Sequence, residues 1–154
     1  MRRSTRHSSG ADQHSWRYKF SLQSFLKYNR WAILWGLLII LLTSLPGKTL
    51  PKLPDFMDLF HPDKVVHVFI FAVYFILQIR GFLLQPQYPF FRRHALFATL
   101  LICLVMAAGT ELLQGYFIPM RVGSLPDFLA NLAGIFTGWG MHQWKFRYFF
   151  SSRK

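Results

Sequence analysis

Cysteine and acid are what this chain of 154 residues has least of. Its one thiol, Cys103, excludes an intrachain disulfide, and between Ile102 and Leu104 it reads as a packed core thiol. No cysteine pair at metal-binding spacing, no phosphate loop and no dinucleotide fingerprint occurs, so no cofactor and no metal are expected. No internal repeat is visible. Acidic residues number 6 against 18 lysines and arginines. Three of those acids, Asp63, Glu111 and Asp127, stand at the rims of long apolar runs, each with a polar companion about a helical turn away.

Apolar residues, by contrast, are plentiful, at 53% with 17 Phe and 5 Trp, and the mean hydropathy is +0.25. Their distribution argues for a membrane rather than a greasy soluble domain. Four windows are long enough to cross roughly 30 Å of hydrocarbon at 1.5 Å per residue: Tyr28–Leu45, Val65–Leu84, His94–Gln114 and Leu125–Trp144. The second and fourth are weaker, because they carry His67, Gln78, Asp127 and Asn131. The first is not read as a signal peptide: it is too long for a simple apolar core, and Leu45-Pro46-Gly47 offers no small-x-small cleavage pattern. The expected fold is all-α, a four-helix transmembrane bundle, with a basic tail at 1–27, a membrane domain at 28–144 and a second basic tail at 145–154.

Charge supplies the orientation. In the four-span arrangement one side carries 14 basic residues and one acid, Asp12, while the other holds Lys48, Lys52, Lys64 and Arg121 with the remaining acids on or near it. This contrast is the positive-inside pattern and places both termini in the cytoplasm. The same basic face suits anionic membrane lipids better than nucleic acid. Trp16, Phe20, Phe25 and Leu26 mixed with Arg17, Lys19 and Lys27 predict an interfacial helix over 16–28. Pro46, Pro51 and Pro54 predict an outer loop over 45–61, and Pro86 and Pro89 an inner loop over 85–93.

The polar residues gather at the outer ends of three spans. Pro62 and Asp63 suit a first helical turn, and Asp63, His67 and Tyr74 share a helix face. Glu111 lies about a turn inside the apolar boundary and needs a proton, water or a base, with Lys64, His67 and Arg121 as candidates; Gln114 lies on nearly its face. Ser124 and Asp127 have the spacing of a capping box, so Asp127 is either a helix cap or a site residue. Asn131, a turn deeper, needs a partner in hydrocarbon. Ala130, Gly134 and Gly138 form a small-x3-small series, to pack on Ala107-Ala108-Gly109 or on a second copy of the chain. Spans two and four run inward and span three outward, so all these ends share one depth.

Taken together, Pro62-Asp63-Lys64-Val65-Val66-His67 with Tyr74, and Glu111-Leu112-Leu113-Gln114 followed by Pro119, Arg121, Ser124, Asp127, Asn131, Gly134 and Gly138, resemble the two blocks of the VanZ-like family of small bacterial membrane proteins. The resemblance covers roughly residues 31–144. Many relatives place Asp before the Glu, where this chain has Thr110. The resemblance implies a bacterial inner-membrane location and a connection to the cell envelope.

Three functions are then open. The first is an outer-leaflet pocket of Asp63, Lys64, His67, Tyr74, Glu111, Gln114, Arg121, Asp127 and Asn131 that binds a polar lipid headgroup, a wall precursor or a peptide. The second is an intramembrane hydrolase or transferase with His67 as general base, Glu111 or Asp127 as acid and Arg121 as anion clamp. The third is a structural subunit whose polar network fixes helix order, with a membrane-protein partner or a homodimer as its context.

Overall fold

The chain is described here by a computed structural model covering residues 22–44, 62–117 and 124–151. Every regular element in those residues is a helix: α1 Leu22–Thr43, α2 Pro62–Leu83, α3 Pro89–Arg93, α4 Ala95–Phe117 and α5 Leu125–Ser151. Proline punctuates them as its chemistry requires. Pro62 opens α2, Pro89 opens α3, and Pro126 occupies the first turn of α5, where a missing N–H costs nothing.

Three helices, α1, Asp63–Leu83 of α2 and α4, are long and apolar enough to cross a membrane. By length and composition the described helices are those of a membrane protein. The fourth window becomes the longest helix, α5, whose 27 residues rise about 40 Å. It is long enough to span, but Asp127, Asn131, His142, Gln143 and Lys145 make it less apolar than the other three.

Several expected boundaries move. α1 begins at Leu22, so the interfacial segment and the first span share one helix from Leu22 onward, and the 27/28 division falls inside it. The division at 144/145 falls inside α5. The loop expected over 85–93 contains the short helix α3. The rest of the interfacial segment, the outer loop and Arg121 lie outside the described residues.

α2 is the central helix. Of its most apolar window 56% is buried, against 22% for α1 and for α4. It packs on all three other long helices and most extensively on α5. The α2–α5 seam is a contact of backbones. A Cβ on Gly134 would lie 2.5 Å from the Val68 carbonyl oxygen, and one on Gly138 would lie 2.7 Å from that of Ala72. The small-x3-small face is thus spent on α2. Its nearest neighbours at both glycines belong to α2. Gly109 itself faces open space.

On the other side of α2, Trp35 of α1 donates its indole N–H to the Ile70 carbonyl at 2.9 Å. Phe71, Phe75, Phe82, Ile39 and Ile135 complete the buried core, and Cys103 is packed within it as expected. Leu34, Leu37 and Leu41 on α1, and Phe97, Leu101 and Val105 on α4, remain exposed, as lipid-facing side chains would be. At the end of the molecule where α1 begins and α2 stops, rings do the fastening. Phe82 stacks on Phe91 at 5.1 Å between centroids, and Phe25 meets both Phe91 and Tyr88.

Candidate functional site

α2 and α5 both start at the end where α4 stops, and three helix ends therefore bring their polar residues together. The inner part of the cluster is a chain of hydrogen bonds. Glu111 of α4 accepts from the backbone N–H of Ser124 at 3.0 Å and from the Asn131 amide nitrogen at 3.2 Å. Asn131, fully buried on α5, turns its amide oxygen to His67 Nδ1 at 2.8 Å. Asn131 offers Glu111 its NH2. Its oxygen then faces the imidazole, and Nδ1 of His67 must be the donor. Three side chains on three helices are thereby placed in one fixed donor order.

The outer part is looser. Asp63, four residues before His67, lies 3.7 Å from His67 Nε2, and Lys64 Nζ lies 3.9 Å from Asp127 Oδ1. Both separations exceed a hydrogen bond. Asp63 is well exposed, Lys64 is partly exposed, and Asp127 is mostly covered. Asp63, His67 and Asp127 each turn one ligand-capable atom to the same spot, all within 4.8 Å of one another. Beside the cluster a groove of about 440 Å³ opens between the end of α4 and the start of α5, lined by Glu111, Leu112, Gly115, Tyr116, Leu125 and Phe128.

Two local details differ from the sequence expectation. Among the described residues Glu111 takes two amide donors, and Lys64 goes to Asp127. The capping box is also reassigned. Its usual logic has the residue three beyond the cap reach back to the cap's N–H, but the Ser124 N–H goes to Glu111, on the preceding helix. Asp127 is left to face Lys64 and the Asp63–His67 pair.

Two expected site residues stand apart. Gln114 turns to α1, where its amide donates to the Thr43 carbonyl at 3.4 Å and so serves a helix C-terminus. Tyr74 is buried against Phe71 and beside Gly36 of α1, deeper than the cluster. Thr110 donates to the Ala107 carbonyl and lines the α1–α4 side. Ser124 is the one participant the sequence reading used only as a cap. Its contribution is a backbone N–H, which no side-chain pattern advertises.

Comparison with protein-family models, with curated proteins and with solved structures finds no match.

Proposed function

We propose that this chain is a VanZ-like inner-membrane protein of bacteria, crossing four times with both termini cytoplasmic, whose outer-leaflet cluster around Lys64, His67 and Asp127 binds the polar headgroup of an envelope lipid. The observation that carries this reading is the division of the cluster into a buried hydrogen-bonded frame and a loosely paired rim. Glu111, Asn131 and the Ser124 N–H use their bonding capacity on one another, as an architectural network would. Asp63, Lys64 and Asp127 are held near each other without hydrogen bonds, and groups at such spacing can exchange partners for a ligand.

Lys64 would meet negative charge, and Arg121, which lies outside the described residues, is the second candidate for it by sequence. The half-open apolar groove beside Glu111 suits the first carbons of a lipid. α5 would complete the fourth crossing with its polar face turned to α2, where Asn131 is satisfied.

Mass spectrometry of envelope lipids retained by the detergent-purified full chain tests the headgroup reading. Lys64→Ala and Arg121→Ala should each lose most of the retained anionic lipid while the circular dichroism stays helical. Retention equal to the parent in both variants refutes it. A second reading, acid–base catalysis on a lipid-linked substrate, is favoured by one observation: Asn131 fixes the His67 ring and leaves Nε2 facing the rim. Turnover of a labelled envelope lipid that His67→Gln abolishes would select it.

A further inference from the structure

We propose that Asp63, His67 and Asp127 form a site for one divalent transition-metal cation of the zinc or manganese type. Four observations converge on it, beginning with distance. The three donor atoms lie within 4.8 Å of one another, while donors around a tetrahedral zinc ion at about 2.0–2.2 Å stand roughly 3.3 Å apart. Small torsional changes of two aspartates close that difference, and Asp63 at 59% side-chain exposure is free to make them.

Tautomer is the second. Because Nδ1 of His67 donates to Asn131, a neutral ring carries its lone pair on Nε2, and Nε2 points at Asp63 across a gap too long for a hydrogen bond. His67 is only 9% exposed at its side chain, so this lone pair is held in place rather than swept through solvent. Third comes the outer support. Metal-binding histidines characteristically have their other nitrogen fixed by a hydrogen-bonded partner, which orients the ring and raises its basicity. The His67–Asn131–Glu111 relay is such an arrangement, and its last member is itself fastened by the Ser124 N–H.

Charge is the fourth. Among the described residues the two carboxylates of Asp63 and Asp127 stand beside one ammonium, that of Lys64, so a dication would find charge to neutralise there. One imidazole with two carboxylates suits zinc or manganese better than an all-oxygen magnesium or calcium cage. Three protein donors leave a further position open at the rim for water or an anionic group.

The site shares side chains with the proposed headgroup pocket but needs no lipid, so the two can fail separately. The full chain, purified in detergent and stripped with a chelator, is titrated with Zn2+ and Mn2+, with Mg2+ as the contrast ion, and bound metal is counted by elemental analysis. The expected result is one Zn2+ or Mn2+ per chain. Asp63→Asn, at an exposed position, should weaken binding by at least the about 10–100-fold typical of losing a supporting partner. His67→Gln and Asp127→Asn should do the same. Lys64→Ala should tighten it, because the ammonium competes for Asp127.

Glu111→Gln provides the sharpest check on positioning. Its new NH2 turns the Asn131 amide over, which presents NH2 to Nδ1 and drives the proton to Nε2. Metal affinity should fall about 10–100-fold, and the 15N shifts of His67 should report the other neutral tautomer. A folded parent that takes up no stoichiometric Zn2+ or Mn2+ overturns the proposal, as does uptake that Asp63→Asn and Asp127→Asn both leave unchanged. Uptake with no lipid retention would keep the metal site and remove the headgroup pocket; retention with no uptake would do the reverse.

Discussion

The seam between α2 and α5 and the seam between α1 and α4 both join long apolar helices, yet they are built in opposite ways. In the first, glycines at 134 and 138 let backbone meet backbone, and Asn131 reaches His67 one level away. In the second, an apolar groove of about 480 Å³ remains, lined by Ile40, Leu101, Val105, Met106 and Gly109. Lipid tails are as apolar as leucine, so helices in a bilayer gain little from mere greasy contact and much from close packing and interhelical hydrogen bonds. The polar chemistry accordingly sits on the close seam, where short reach permits direct bonds. The open seam has one long hydrogen bond, from Gln114 to Thr43, and otherwise offers surface for lipid.

Gly134→Val should be the most damaging way to break this contrast. Its side chain would be driven into the Val68 carbonyl and Phe71, both parts of the helix core that cannot swing away. Overpacking of this kind costs about 1–3 kcal/mol or more, and unfolding in mixed detergent should show the upper end of that range. Asn131→Ala should rank second. It leaves a Glu111 oxygen and the His67 Nδ1–H without their partner, a loss of about 1–3 kcal/mol by the usual cost of stranded buried groups.

Gln114→Leu should matter less. It removes one long hydrogen bond to Thr43 across the open seam, worth about 0.6 kcal/mol by membrane precedent. Gly109→Leu should do almost nothing, since no atom lies within 4 Å of the place its Cβ would take. A Gly109→Leu variant as unstable as Gly134→Val would erase the distinction between the two seams.

Much of the fold was readable because apolar run length reports a span directly: the second and third windows fall within about three residues of α2 and α4 at each end. Alternating direction also foretold that Asp63, His67, Glu111, Asp127 and Asn131 would share a level, and these five do converge. Pairing was not readable. Glu111 and Gln114 differ by about 60° around α4, which is enough to send one to α5 and the other to α1 when neighbours stand on both sides. The glycine stripe declared closeness without naming α2 as its partner, because any carbonyl-bearing backbone could have met it. Hydropathy likewise could not separate core-facing from lipid-facing leucines, as both environments are apolar.

The glycine pair also acts as a ruler for vertical alignment. Moving α5 by one turn in one direction would set His142 against the Ala72 carbonyl; moving it the other way would set Ala130 against that of Val68, and either intruder carries a Cβ that the gap refuses. A displacement of that size is about 6 Å, which would strand Asn131 far from the imidazole it now touches. Two hydrogen atoms standing where side chains would be thus determine the height at which His67 finds its neighbour.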